Sequence, residues 1–128
     1  DEYVNFNFEG VSESELRQVY RKSDVFVLPL YLPPPRNGYG WGLTNFEAMA
    51  AGLPLVICRT STATEVLVDQ KQALFVEPMS PEDIAKKIKV LMDDPSLYRR
   101  IAEAGQQFVK ENISWEKYTR EMLRILEK

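Results

Sequence analysis

VFVLPLYLPPPRNGYGWGLTNFEAMAAGLPLVIC, residues 25–58, is the stretch that decides the fold. VFVL at 25–28 is a continuous apolar run of strand length, set between Ser23-Asp24 and Pro29. Such a run between turn signals suits a strand covered on both faces of a parallel sheet. A loop over 30–41 follows, with Pro33, Pro34 and Pro35 and then Asn37, Gly38, Tyr39 and Gly40. Proline and glycine at this density exclude a regular helix or a central strand. Residues 43–51 predict a helix rich in small side chains, stopped by Gly52 in the usual place just past a helix end. LVIC at 55–58 is a second buried-type strand.

Working outward, VNFNF at 4–8 alternates apolar side chains with asparagine, a period-two strand signal. Ser12 with Glu15 three residues on predicts a capping box, opening a helix to about residue 22. A short helix is expected over 61–67 and a third apolar strand, ALFV, at 73–76. Ser80-Pro81-Glu82-Asp83 combines an N-cap, a first-turn proline and acids against the helix dipole. Ile84, Ile88, Leu91 and Met92 give that helix its apolar stripe. Ser96 opens a further helix to about residue 110. Ser114 opens the last, with Trp115, Tyr118, Met122, Ile125 and Leu126 as its packing face. Strands alternating with helices argue for an α/β fold on a parallel sheet, ending in a purely helical stretch.

The chain has 128 residues, of which 45% are hydrophobic and 27% charged, ordinary values for one globular domain. A net charge of -3 argues against a nucleic-acid partner. The lone Cys58 excludes an intrachain disulfide and fits a reducing, cytoplasmic setting. With no histidine in the chain, imidazole catalysis and histidine-ligated zinc are excluded, and no metal site is expected. No apolar run approaches the ~20 residues of a membrane span. The start, Asp1-Glu2-Tyr3, lacks the features of a signal peptide and reads like a chain entered in mid-domain.

The chemistry concentrates in the glycine-rich turn into the helix at 43. In open α/β sheets, ligands sit beyond the C-terminal ends of the strands. Glycines let the backbone come close to a ligand there, and the first helical amides are unpaired. Gly42, Leu43 and Thr44 thus make a candidate diphosphate cradle. Glu47, about one turn further in, offers an acceptor-only carboxylate suited to the two hydroxyls of a ribose. A second reading stands beside it: Thr44-Asn45-Phe46-Glu47 also fits a capping box, with Glu47 serving only the Thr44 backbone. Arg36 and Arg59 read as solvated loop arginines, Cys58 as core packing, and Asp93-Asp94 as a helix stop. Lys86, Lys87 and Lys89 read as a solvated face that could touch an anionic membrane surface.

From residue 4 to 128 the chain resembles the C-terminal region of retaining family 4 (group 1) glycosyltransferases of the GT-B fold. LRQVYRKSDVFVLP resembles the family's helix and strand before the donor loop, and GWGLTNFEAMAAGLPLV its most characteristic block. TEVLVDQKQALFVEP, SPEDIAKKIKVLMDDPSLYRRIAEAGQQFV and SWEKYTREMLRIL follow in the family's order. The resemblance implies a Rossmann-like part of a GT-B domain that binds a nucleotide-diphosphate sugar. It implies a glycan or lipid-linked acceptor, no cofactor beyond the donor substrate, and an N-terminal GT-B domain as partner. The intact protein would transfer the sugar; peripheral membrane contact would be made through that protein. By resemblance the donor site takes in Tyr39, Gly40, Trp41, Gly42, Leu43, Thr44 and Glu47, with Glu47 on the ribose. No residue is assigned as catalytic.

The chain departs from the family pattern in three places. Tyr39 stands where the first glutamate of the hallmark is expected; that glutamate lies against the donor sugar in the family, so sugar contact is in question. The loop 32–38 is longer than usual, and Ser61-Thr62 replaces paired glycines before Glu65, for which a structural role is expected. The family's acceptor domain, and the Arg and Lys that neutralise the diphosphate, lie outside the sequence, so 1–128 alone is expected to be inactive. The alternative is a non-catalytic nucleotide-binding or scaffold domain of the same fold, which Tyr39 favours.

Overall fold

Alternate residues of a strand point to opposite faces, so a buried sheet sorts each apolar run into two cores. The three strands here do so. The computed structural model describes residues 3–31 and 41–126. Its elements run α1 (Glu13–Lys22), β1 (Phe26–Leu28), α2 (Leu43–Ala50), β2 (Leu55–Cys58), a 3-10 turn (Thr62–Glu65), β3 (Leu74–Val76), α3 (Pro81–Asp93), α4 (Pro95–Asn112) and α5 (Trp115–Leu126). The sheet is parallel in the order β1-β2-β3, with Val27 opposite Val56 and Ile57 opposite Phe75. Leu55, Ile57 and Phe75 face one core with Phe46 and Met49 of α2, backed by Phe108 of α4. Val56, Leu74 and Val76 face the other, with Leu91 of α3 and Ile101 of α4. Helices thus cover both faces of a parallel sheet, as the alternating pattern predicts.

β2 and β3 are buried along their whole length, whereas β1 is only half-buried. Among the described residues β1 and β3 are both edge strands, each paired with β2 on one side only, so edge position alone does not account for the difference. The expected strand at 4–8 does not form. Phe6 and Phe8 stack their rings 5.8 Å apart, as next-but-one residues of an extended chain can. No neighbouring strand among the described residues takes up the backbone groups of 4–8, and its residues lie exposed. Alternation is a property of the extended chain; a strand also needs a partner.

The helix starts follow their caps. Ser12 and Glu15 close the predicted box, the Glu15 N–H donating to Ser12 Oγ and the Ser12 N–H to Glu15 Oε2 at 2.8 Å. The Ser12 hydrogen bonds hold the Glu15 carboxyl below its ordinary range. Ser80 Oγ accepts from the Asp83 N–H at 3.2 Å, with Pro81 opening α3. The helix expected from Ser96 instead begins at Pro95, because Asp94 is the cap: its Oδ1 accepts from Ser96 and Leu97 N–H at 3.0 and 2.9 Å. Asp94 also ends α3, so one residue stops one helix and starts the next. Asp94→Ala should cost about 1 kcal/mol, a fall of roughly 4 °C in thermal midpoint. An unchanged midpoint would mean that the corner is held by its packing alone.

Two further expectations are revised. The helix over 61–67 shrinks to the 3-10 turn, capped by Ser61 Oγ on the Ala63 N–H at 3.3 Å. The apolar stripe of α5 does not pack: Trp115, Tyr118, Met122, Ile125 and Leu126 are all exposed. Trp115 and Tyr118 meet edge-on at 5.9 Å, but no buried residue lies on this helix. The stripe is amphipathic as read. What it lacks, among the described residues, is an element standing against it.

Candidate functional site

The strands of a parallel sheet all end on one edge, and α2 starts above that edge. Tyr39 and Gly40 of the expected site, and Arg36, lie outside the described residues. The remaining five, Trp41, Gly42, Leu43, Thr44 and Glu47, fall together on the first turns of α2. Gly42 is the N-cap at φ 70, and no side chain caps this helix. The Asn45 N–H turns back to the Gly42 carbonyl at 3.0 Å. The Leu43 and Thr44 N–H groups find no acceptor among the described residues. The side chains divide sharply. Asn45, Phe46, Ala48 and Met49 are buried against the sheet, while Leu43, Thr44 and Glu47 are exposed. Amides without an acceptor among the described residues thus stand at the start of α2, with an exposed carboxylate one turn on.

The capping-box reading of Glu47 fails on this geometry. Thr44 lies inside α2, two residues past the N-cap. Glu47 Oε2 instead accepts a hydrogen bond from the Tyr20 hydroxyl of α1 at 3.0 Å. Tyr20 in turn packs its ring against Phe26 of β1, 6.2 Å between centroids. Burial, and then the hydrogen bond to and charge of Glu47, push the Tyr20 phenol up to about 12. It stays a donor throughout the physiological range.

Two residues that brace the turn were not singled out from the sequence. Asn45, 1% exposed, donates from Nδ2 to the Trp41 carbonyl at 2.8 Å and so fixes the backbone on either side of Gly42. Its Oδ1 is buried without a partner among the described residues. An asparagine on the buried face of a small-residue helix was the available signal, since a buried amide needs a specific partner. The second is Tyr20. Trp41 itself lies edge-on to Phe46 at 6.3 Å and donates from Nε1 to Glu65 Oε2 at 3.4 Å. Glu65 thereby ties the 3-10 turn to the start of α2.

Arg59, read as a solvated loop arginine, is held in place. It pairs with Glu77 at 3.0 Å and Asp69 at 3.4 Å and lies over the Phe75 ring. These partners join the ends of β2 and β3. Asp93 pairs with Lys89, and Asp94 caps a helix, in keeping with a helix stop. Among the described residues no group of three or more acidic or thiol side chains could hold a metal, and no helix is long and apolar enough to cross a membrane. Cys58 is buried at the end of β2.

Residues 4–108 match the family described as Glycosyl transferases group 1, a span from the segment before α1 into α4. The chain belongs to that family. An uncharacterized glycosyltransferase of Methanocaldococcus jannaschii is 29% identical over 148 residues, covering 97% of this chain and 41% of its own length. The C-terminal domain of a group 1 family glycosyl transferase from Francisella tularensis superposes with a TM-score of 0.68 at 27% identity, over 88% of this chain and 53% of that one. The Anabaena protein HepE, solved in complex with UDP-glucose, shares the fold with a TM-score of 0.73 at 19% identity, over 86% of this chain and 29% of its own. The chain spans 28%, 41% and 27% of the first three curated relatives it matches. The fold is that of the C-terminal domain of GT-B glycosyltransferases, and the group 1 match takes in the whole turn from Trp41 to Glu47.

Proposed function

We propose that residues 1–128 form part of the C-terminal donor-binding domain of a glycosyltransferase. The whole protein would transfer a sugar, with retention, from a nucleotide diphosphate to a glycan or lipid-linked acceptor. One observation carries the reading: the start of α2 has no side-chain cap, and Leu43, Thr44 and Glu47 lie exposed there within one turn. The amides and the helix dipole would hold the diphosphate, and Gly42 lets the backbone approach it. Glu47 would accept from the ribose hydroxyls. Tyr39, Gly40 and Trp41 complete the donor contacts by the family's pattern. The cations that offset the leaving diphosphate, and the acceptor site, would come from the rest of the enzyme, which the N-terminal GT-B domain completes. HepE, with its bound UDP-glucose, supports a nucleotide sugar as the ligand class. The buried lone thiol fits a cytoplasmic enzyme.

Calorimetric titration of UDP, GDP and ADP into wild type and Glu47→Ala tests the site. Losing a charged acceptor should weaken the preferred nucleotide by about 1.5–3 kcal/mol, or roughly 10- to 150-fold. Equal affinity in both proteins would remove Glu47 from the site. No binding of any of the three would show that the chain is not a donor site on its own. Tyr39 supports a second reading, a nucleotide-binding domain without transfer. The two separate on whether the full-length enzyme turns over the nucleotide sugar that it binds.

A further inference from the structure

Glu47 is a flexible side chain on an open helix face, and left alone it would sample several rotamers. It is not left alone. The Tyr20 hydroxyl, 27 residues earlier in sequence, reaches its Oε2 at 3.0 Å. The ring beneath that hydroxyl rests on Phe26 of β1, so the donor is anchored to the sheet that also positions α2. α1 has no buried residue, and the other side-chain hydrogen bonds of its residues stay within α1 and its two caps. The one polar tie from α1 to the site, among the described residues, is this phenol.

We infer that Tyr20 is a positioning residue for Glu47, holding its carboxylate to receive a vicinal diol and so setting the preference for a ribonucleotide. The inference rests on the donor-site reading above. A carboxylate offers about four lone-pair positions. Tyr20 takes one on Oε2, which leaves Oε1 and the second position of Oε2 for two neighbouring hydroxyls. The bond also restricts the side chain before the ligand arrives, which lowers the ordering cost of binding. Tyr20 touches no ligand atom in this scheme; it acts through Glu47.

Tyr20→Phe keeps the ring on Phe26 and removes only the donor. The test titrates the nucleoside diphosphate that wild type prefers, and its 2′,3′-dideoxy analogue, into wild type, Tyr20→Phe, Glu47→Ala and the double variant. The ribonucleotide should bind Tyr20→Phe roughly 3- to 10-fold more weakly, the cost of ordering one freed carboxylate side chain on binding. The dideoxy analogue should bind wild type and Tyr20→Phe alike. In the Glu47→Ala background the Tyr20 change should have no further effect. Equal loss for both nucleotides would make Tyr20 a general structural support and overturn the inference. So would a ribonucleotide affinity that Tyr20→Phe leaves intact while Glu47→Ala lowers it. If Glu47→Ala changes nothing, the donor-site reading itself falls, and the inference with it.

Discussion

Ile57→Ala should destabilise the chain by about 2–5 kcal/mol, the range for removing most of a large side chain from a core. Ile57 is 0% exposed in the middle strand, opposite Leu28 in β1 and Phe75 in β3. Phe46 and Met49 from α2, and Ala63 and Leu67 from the segment after β2, close the same core around it. Strands on both sides and a helix above give the cavity little freedom to collapse. Domains of this size are stable by about 5–15 kcal/mol in total, so the loss is a large share. It should appear as a fall of roughly 1–2.5 M in the urea midpoint, at an unchanged slope of about 2 kcal/mol/M. Leu126→Ala on exposed α5 is the reference, expected within about 0.5 kcal/mol of wild type. If the two variants unfold together, the core on the α2 side of the sheet is not packed as described.

The sequence carried most of this core because β2 and β3 are buried on both faces, so their apolar runs need no partner to be recognised. The caps at Ser12, Ser80 and Gly52 were equally local and equally legible. What sequence could not supply was the other half of each contact. VNFNF at 4–8 alternates like a strand, but pairing depends on where another strand lies. The α5 stripe is real as a pattern, yet burial depends on a surface to meet it. Asp94 took the cap expected of Ser96 because it sits next to Pro95, the first helical residue, and its Oδ1 reaches two N–H groups.

The site divides in the same way. Gly42 to Glu47 stood out as a glycine turn leading into a helix, and within it the side chains of Leu43, Thr44 and Glu47 lie exposed together while Asn45 and Phe46 are buried. Two readings of Glu47 were open because a capping box and a ligand carboxylate have the same spacing. The N-cap at Gly42 puts Thr44 inside the helix and closes off the first, and the partner that Glu47 has instead lies 27 residues away, where no local pattern shows it. Asn45 is the converse case. Its position in the helix was legible, but its task, bracing Trp41 across Gly42, exists only once the turn has folded.

Gly42→Ala should cost about 2–5 kcal/mol and abolish nucleotide affinity with it. Two separate terms add. The backbone there has φ 70, which a Cβ disfavours by roughly 1–2 kcal/mol. The new Cβ would also stand 3.0 Å from Asn45 Nδ2 and 3.6 Å from Leu28 Cδ2. Asn45 is buried and cannot swing into solvent, so it must give way by a few tenths of an ångström at the expense of its bond to the Trp41 carbonyl. An unmade buried hydrogen bond costs about 1–3 kcal/mol. Gly10 separates the two terms. It has φ 79 but open space around its Cβ position, so Gly10→Ala carries the backbone cost without the collision. The excess loss at position 42 over position 10 therefore measures the Asn45 brace. Because that brace holds the turn that aims the Leu43 and Thr44 amides, affinity should fall at position 42 and not at position 10. Equal destabilisation at both glycines would mean that Asn45 yields freely, and that the cradle takes its shape from Gly42 alone.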